Sequence, residues 1–319
     1  MAEIIDRDLL VGTLRYLDAQ ENGETAGITV DTRQTTHSVV MELLMKSGFV
    51  NTEGKVSPKG ERFLEQNKLR DLFKIKYTPY GVEYEGNGNG FVSEVTEILK
   101  SRPVANHSLD HQPLWPELTA MRAHYISSEE NLFDKKVAMV GDYDSAGLAL
   151  NLITSVKETT VFDIDKRLLR YFGQVARKHN FSLKRVYQDL FKKTPNKYIG
   201  KYDVFVADPP YAMGGMRKFI EFGIDLLKDG GTGYIAVPYH ENIAWTERML
   251  FEVGKLVMKR GCVITDVLKN FHRYQTADGL RSSIIRIKKG AFLKEIDVDK
   301  MYSYKKININ KPEILAMTI

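Results

Sequence analysis

Five short apolar runs alternate with segments of helical periodicity, and this alternation constrains the fold more than any other feature of the sequence. Each run is bounded by polar residues or glycine, which is typical of buried strands in a parallel sheet. The pattern predicts a Rossmann-like, doubly wound α/β domain with its ligand site at the carboxyl ends of the strands. The runs lie at residues 137–140, 160–162, 186–187, 204–207 and 234–237.

Two further apolar runs follow this set, at residues 263–268 and 283–287. We interpret them as an antiparallel pair that closes one edge of the sheet. The predicted Rossmann-like catalytic domain then spans residues 135–319.

The N-terminal part of the chain has a different texture, with helical stripes and short turns. The second stripe ends at Gly48, which can adopt the left-handed conformation that terminates helices. A small hairpin is predicted at 49–56, and Ser57 and Pro58 have the residue types of a helix cap and first turn. This order predicts a winged-helix domain at residues 1–78, serving DNA binding, dimerisation or lid formation. The stripes are Leu9, Leu10, Leu14 and Leu17, and Val39, Val40, Leu43 and Leu44.

Residues 79–134 separate the two predicted domains. Glycine and asparagine alternate at 86–90, a composition typical of loops and hinges. We predict a linker and active-site-closing segment, in which His107 and Asp110 contact the substrate.

Acidic residues follow four consecutive strands of the predicted sheet. Gly141 permits close approach of a ligand to the backbone after the first strand, and it precedes two carboxylates rather than a phosphate-binding glycine loop. Acidic side chains after the second strand can accept the hydroxyls of a ribose, and those after the third can reach an adenine amino group. Together they predict a site for a nucleoside that carries a positive charge, such as the sulfonium of S-adenosylmethionine. The residues are Asp142 and Asp144, Asp163 and Asp165, Asp189 with Leu190, and Asp208.

The fourth strand is followed by Asp208, Pro209, Pro210 and Tyr211. The two prolines stiffen the turn, and their carbonyls have no neighbouring amide donor. Asp208 and a proline carbonyl can hold a nitrogen by its protons, while Tyr211 offers an aromatic face. This arrangement predicts an acceptor site for an amine or a planar amino group.

Other residues near the strand ends are weaker candidates. Tyr143 in the first loop, and Tyr239 and His240 after the fifth strand, can line the acceptor pocket. His107, His111 and His124 fall in one stretch, but their spacing matches no zinc pattern, and we predict no metal.

Composition excludes several classes of protein. Cys262 is the single cysteine, so neither an internal disulfide nor a zinc site with several cysteines is possible. The net charge of +5 among 319 residues permits an anionic partner without requiring one. No apolar run approaches the roughly 18 residues of a membrane helix, and the N-terminus is charged from its first residues. We expect a cytoplasmic protein with no membrane partner.

Residues 135–287 resemble the class I methyltransferase-like superfamily. A closer likeness spans nearly the whole chain: it resembles the branched-chain polyamine synthases, the N4-bis(aminopropyl)spermidine synthase family. Order and spacing of eight segments carry this resemblance. They lie at residues 107–110, 116–117, 141–144, 162–165, 208–210, 233–234, 265–266 and 270–271.

The resemblance implies aminopropyl transfer from decarboxylated S-adenosylmethionine to a small amine, with release of methylthioadenosine. It also implies a homodimer and a loop after the first strand whose carboxylates hold and deprotonate the amine. Asp142 and Asp144 match that loop, whereas Tyr143 departs from it. With Asp208, they are the predicted catalytic residues, because a protonated amine must lose its proton before it attacks. The family's acidic tail is replaced here by lysines, among them Lys288, Lys289, Lys294, Lys300, Lys305 and Lys306.

Three alternatives remain open at this point. The chain can be an N-methyltransferase that uses S-adenosylmethionine and relies on Asp208 and Tyr211. It can transfer or cyclise the aminocarboxypropyl group of the same donor. The third alternative is a DNA-binding regulator, although a nucleic acid is not the partner that the acidic strand ends favour.

Overall fold

The computed structural model describes residues 13–14, 17–18, 34–66, 74–78, 81–85, 89–240, 243–275 and 281–290. Its helices and strands, in chain order, have the following bounds: α1 Gln34–Lys46, α2 Pro58–Gln66, β1 Lys74–Thr78, β2 Gly81–Glu85, α3 Asn89–Leu99, α4 Pro116–Glu129, β3 Lys136–Val140, α5 Ala146–Ile153, β4 Glu158–Asp163, α6 Lys166–His179, β5 Leu183–Tyr187, β6 Tyr202–Ala207, α7 Met213–Leu226, β7 Leu227–Val237, α8 Ala244–Lys259, β8 Cys262–Arg273 and β9 Arg281–Lys289. Two short 3₁₀ helices, His107–Leu109 and Asn196–Tyr198, lie between them.

A seven-stranded sheet in the order β5-β4-β3-β6-β7-β9-β8 forms the centre of the molecule. Strands β3 to β7 are parallel, and β9 pairs antiparallel with both β7 and β8. Each predicted run falls within one of these strands, so the doubly wound sheet and its antiparallel edge are confirmed.

Both faces of the sheet are covered, which explains the continuous apolar runs in its central strands. Along β3, Val137 and Met139 pack into one core cluster with α3 to α6. Ala138 and Val140 point to the opposite cluster, which contains residues of α7 and α8. Because side chains alternate between the two faces of a strand, β3 contributes to both core clusters, which lie on opposite faces of the sheet.

Part of the predicted N-terminal pattern is described by the structure. Gly48 has a φ of +73° and ends α1, and Val50 pairs with Val56 in an antiparallel bridge. The hydroxyl of Ser57 accepts the Gly60 amide at 3.1 Å, as expected of a helix cap. Leu14 is buried, whereas Leu9 and Leu10 lie outside the described residues.

The described part of the predicted linker and active-site-closing segment at residues 79–134 consists largely of strand and helix, which the sequence interpretation did not specify. Gly81–Glu85 is a strand that pairs with β1. Phe91, Val95 and Ile98 form an apolar stripe on α3, and together with residues of α4 they are buried in the core against the sheet. The glycine-rich composition at 86–90 obscured this stripe, whose burial ties the segment to the catalytic domain.

No helix in the described ranges is long and apolar enough to cross a membrane.

Candidate active site

A cavity of about 480 Å³ lies at the carboxyl ends of the parallel strands. The loops after β3, β4, β5 and β6 converge there because parallel strands end at the same edge of the sheet. Twelve of the residues predicted from the sequence line this cavity. They are Asp110, Gly141, Asp142, Tyr143, Asp144, Asp163, Asp189, Leu190, Asp208, Pro209, Pro210 and Tyr211.

The loop after β3 turns at Gly141, which has a φ of +64°. A Cβ atom at this position would lie 2.8 Å from the ring of Phe219, so the turn requires glycine. Asp142 uses both carboxylate oxygens to cap α5, since they accept the amides of Ala146 and Gly147 at 2.9 Å each. Burial raises the pKa of Asp142 well above its ordinary value, while these amides oppose the rise. Asp142 therefore has a structural task in addition to its place in the cavity wall.

Asp163 and Asp165, both predicted to bind the nucleoside, occupy different environments. Asp163 lines the cavity, and one of its oxygens accepts the Asp165 amide at 2.7 Å. Burial raises the pKa of Asp163 to about 6. Asp165 lies outside the cavity wall and caps α6 by accepting the Arg167 amide at 2.8 Å and its guanidinium at 2.6 Å. The sequence does not separate these roles, because an acidic residue after a strand suits both.

This difference predicts that substitution of Asp163 weakens donor binding, whereas substitution of Asp165 lowers stability. Asp163→Asn removes one charged acceptor from the cavity and is expected to raise the KM for the nucleoside donor about tenfold, with little change in Tm. Asp165→Ala removes a helix cap and is expected to cost about 1 kcal/mol of stability, with the donor KM unchanged. Thermal melts and initial-rate kinetics on both variants test this assignment, and an elevated donor KM in Asp165→Ala would contradict it.

The loop after β5 forms the far wall of the cavity. Asp189 accepts the Phe191 amide at 3.0 Å, and the Leu190 side chain is buried beneath the loop. Gln188 donates to the Asp189 carbonyl at 2.8 Å. The loop thus places the Asp189 carboxylate and the apolar Leu190 side chain in the part of the cavity predicted to bind an adenine.

Arg122, on α4, lies between two of the predicted catalytic carboxylates. Its side chain is 3% exposed, its Nη2 donates to Asp208 Oδ2 at 2.9 Å, and its Nη1 lies 3.4 Å from Asp144 Oδ2. Asp144 also accepts the Leu114 amide at 2.9 Å. Burial raises the pKa of Asp144 to about 7, with the charge of Arg122 opposing the rise and the neighbouring charge of Asp208 adding to it. The Asp144 carboxyl can therefore both hold and release a proton near neutral pH.

Asp208 is the more accessible member of this pair, with 17% of its side chain exposed. Tyr274 Oη donates to its carboxylate, at 3.1 Å from Oδ1 and 3.3 Å from Oδ2. Tyr211 in turn donates to Tyr274 Oη at 2.7 Å. The hydroxyl of Tyr211 is thus engaged with Tyr274, and its pKa is raised chiefly by burial.

Behind Tyr274, two buried polar residues complete the arrangement. Ser282 Oγ lies 3.0 Å from Tyr274 Oη and 2.8 Å from His272 Nδ1. Arg122 Nε donates to His272 Nε2 at 2.8 Å. Burial, aided by the charge of Arg122, lowers the pKa of His272 well below its ordinary value, so its ring is neutral.

An aromatic pair forms the wall nearest to α4. The rings of Tyr143 and His111 stack with centroids 4.3 Å apart, and the Arg102 guanidinium lies 4.5 Å from the Tyr143 ring. Tyr143 Oη donates to the Pro103 carbonyl at 3.1 Å. Burial lowers the pKa of His111 to about 4, so this wall contributes a neutral imidazole.

Three predicted substrate residues do not line the cavity. His107 is exposed on the 3₁₀ helix that also carries Leu109. Tyr239 packs against the core cluster around α7 and α8, and its carbonyl accepts the Ser283 hydroxyl at 3.0 Å. The backbone of His240 bonds to Thr246 at the start of α8.

Sequence reasoning missed the residues that surround Asp208. Arg122, His272, Tyr274 and Ser282 come from a helix, two strands and a strand end, so no local motif contains them. Within the described ranges, no cluster of three or more His, Cys, Asp or Glu side chains could hold a metal ion.

The charged side chains among the described lining residues of the cavity are acidic. Six carboxylate side chains contribute to the cavity wall, and none of its described lining residues is lysine or arginine. Because such a wall has a low dielectric behind it, the negative potential favours cationic ligands and disfavours a ligand carboxylate.

A mostly parallel sheet with one antiparallel pair, helices on both faces and an acidic cavity at the carboxyl edge define a methyltransferase-like α/β fold. Residues 91–313 match the family described as the branched-chain polyamine synthase A C-terminal domain. The chain belongs to this family, which confirms the resemblance seen in the sequence.

Relatives and a solved structure agree with this assignment. The N(4)-bis(aminopropyl)spermidine synthase of Methanocaldococcus jannaschii is 33% identical over 192 residues, covering 59% of this chain and 54% of the relative. The enzyme of that name from Thermococcus kodakarensis is 32% identical over 57% of this chain and 52% of its own length. The chain thus spans about half the length of the curated relatives it matches.

The fold is shared with the branched-chain polyamine synthase of Thermus thermophilus, solved with N4-aminopropylspermidine and 5'-methylthioadenosine. The TM-score is 0.58 at 19% identity, over 89% of this chain and 88% of that one.

Proposed function

We propose that this protein transfers an aminopropyl group from decarboxylated S-adenosylmethionine to an amine nitrogen and releases methylthioadenosine. The observation that carries the proposal is the cavity wall, with six carboxylates and no lysine or arginine among its described residues. The donor and a polyamine acceptor are both cationic. Such a wall attracts both and offers no partner for the carboxylate of intact S-adenosylmethionine.

The donor binds across the ends of β3, β4 and β5 in this proposal. Gly141 permits close approach of the nucleoside to the backbone, Asp163 accepts ribose hydroxyls, and Asp189 with Leu190 contacts the adenine. The acceptor nitrogen lies on the opposite side, held by Asp208 and the carbonyls of Pro209 and Pro210.

The reaction is an in-line displacement at the carbon next to sulfur. The nitrogen lone pair forms the new C–N bond as the C–S bond breaks, and the bonding electrons go to sulfur, which leaves as the neutral thioether. The enzyme aligns the reactants and removes a proton from the amine. Asp208 is more exposed to the cavity than Asp144, which has a pKa of about 7 and is joined to Asp208 through their shared partner Arg122.

The donor experiment distinguishes the candidate reactions. Purified protein is incubated with spermidine and either S-adenosylmethionine or its decarboxylated form, and the nucleoside by-product is identified by mass spectrometry. We expect methylthioadenosine from the decarboxylated donor, at least about 100-fold faster than any product from intact donor, since a buried unpaired carboxylate is costly.

Formation of S-adenosylhomocysteine would instead identify an N-methyltransferase and overturn the proposal. Methylthioadenosine from the intact donor alone would identify aminocarboxypropyl transfer. The Asp208→Asn variant serves as the control that assigns any activity to this site rather than to a contaminant.

We infer further that residues 1–78 form a winged-helix domain and that the protein is a homodimer. The first inference is supported by the order of α1, the Val50–Val56 bridge and α2, and the second by the family resemblance. Light scattering tests the dimer, with a mass of about twice 36.4 kDa expected. Salt-dependent DNA binding would favour the regulatory alternative.

A further inference from the structure

Five side chains form a closed circle of hydrogen bonds around one catalytic carboxylate. The circle runs from Asp208 to Arg122, His272, Ser282 and Tyr274, then back to Asp208. We call it the Asp208 ring. Its members come from α4, the end of β6, β8, the residue after β8, and β9. His272 and Ser282 are fully buried and do not line the cavity.

The directions of the hydrogen bonds in the ring follow from Arg122 at one end and Asp208 at the other. The Arg122 Nε–H is a donor only, so His272 Nε2 must be the unprotonated, accepting nitrogen. The proton of the neutral His272 ring then lies on Nδ1 and is donated to Ser282 Oγ, which leaves the Ser282 proton free. Because Tyr274 donates its single proton to Asp208, Ser282 is the donor in its hydrogen bond with Tyr274 Oη.

Tyr274 can therefore act toward Asp208 only as a hydrogen-bond donor. Its oxygen accepts from Ser282 and from Tyr211, and its own proton points to Asp208. Asp208 thus receives two donors, Tyr274 and Arg122. If the hydrogen-bond direction were reversed at any member, Tyr274 would present a lone pair to the carboxylate.

The charged and titratable groups that face Asp208 come from every element around it. Arg122 approaches from α4, Asp144 from the loop after β3, Tyr211 from the loop after β6, and Tyr274 from the end of β8. His272 acts only through its neutral ring, because the adjacent Arg122 and complete burial both disfavour its protonated form.

We propose that His272 and Ser282 are positioning residues for the transfer reaction, fixing the tautomer and hydroxyl direction that make Tyr274 donate to Asp208. The proposal rests on the proposed function, since it assigns Asp208 to the acceptor amine. It adds two residues, remote from the substrate, that keep this carboxylate oriented.

The kinetic test uses three variants of the ring. Ser282→Ala breaks the ring without adding volume, and His272→Leu removes both nitrogens. Each is expected to lower kcat about tenfold, because the Asp208 carboxylate loses an oriented hydrogen-bond donor. The donor KM is expected to stay constant. His272→Gln retains an acceptor for Arg122 and a donor for Ser282, and should recover most of kcat.

Thr265→Ala, also on β8 but outside the ring, is the matched control and should behave as wild type. If His272→Leu does not fold, Ser282→Ala decides the matter alone. A folded Ser282→Ala variant with wild-type kcat would overturn the proposal.

A second measurement does not depend on turnover. Nitrogen-15 NMR of the histidine rings in the full-length protein reports the tautomer of His272. We expect a neutral ring protonated at Nδ1, both above and below pH 6.5, the ordinary histidine pKa. A ring protonated at Nε2 would overturn the proposal even in an active enzyme. If the proposed aminopropyl transfer itself fails, this spectrum still tests the ring.

Discussion

Replacement of Asp208 by asparagine is expected to lower kcat by about 100- to 1,000-fold, the loss typical of removing a group that accepts a proton in the transition state. Asparagine retains the shape of the side chain and one oxygen acceptor for Arg122 or Tyr274. It cannot accept a proton from the attacking amine. The fall in kcat is therefore expected with a small change in donor KM, measured by initial rates of methylthioadenosine release.

The matched control is Asp203→Asn, on the same strand but at the opposite end of the sheet. There the carboxylate accepts the Lys136 amide at 2.9 Å and pairs with Lys228 at 2.6 Å. Its replacement should leave kcat at the wild-type value. A wild-type kcat in Asp208→Asn would remove Asp208 from the chemistry and favour Asp144 as the sole proton acceptor.

Replacement of Arg122 by methionine is expected to destabilise the fold by about 3–5 kcal/mol at neutral pH. The substitution fills the volume of the arginine stem but leaves Asp144 and Asp208 without their shared cation. Arg286→Met is the comparison, because Arg286 pairs with Glu129 and Glu130 while 26% of its side chain remains exposed. It should cost no more than about 2 kcal/mol. Chemical denaturation at several pH values measures both.

The pH dependence of the Arg122→Met effect has a defined sign. The pKa of Asp144 is raised in the folded protein to about 7 from the ordinary 3.8, chiefly by burial, and losing Arg122 raises it further. A carboxyl with a raised folded pKa binds more protons when folded, so its contribution to stability falls as pH rises through that range. Between pH 3.8 and about 7 Asp144 holds its proton in both folded proteins, so the deficit of the variant should stay at its low-pH value, and it should grow as the pH rises above 7, where Asp144 ionises in the wild type but not in the variant. A deficit independent of pH would contradict the assigned pairing.

Local sequence patterns predicted the sheet well because burial on both faces requires uninterrupted apolar strands. The strand-end carboxylates were found for a related reason, since parallel strands place their carboxyl ends at one edge. The same logic did not reveal α3, because the glycine-rich stretch at its start concealed its buried apolar stripe. It also could not distinguish Asp163, which lines the cavity, from Asp165, which caps α6, because both residues follow β4.

The amino-acid sequence by itself determined the doubly wound fold, the family and the acidic edge where a cationic nucleoside is proposed to bind. These properties depend on periodicity and residue type within short segments. Only the tertiary structure decided which carboxylate the site presents and how it is held. Arg122, His272, Tyr274 and Ser282 are up to 160 positions apart in the chain, and they meet at Asp208 because β8 and β9 close the sheet beside α4. Hydrogen-bond direction and the pKa of Asp144 arise from that contact and from the exclusion of water, which no local pattern encodes.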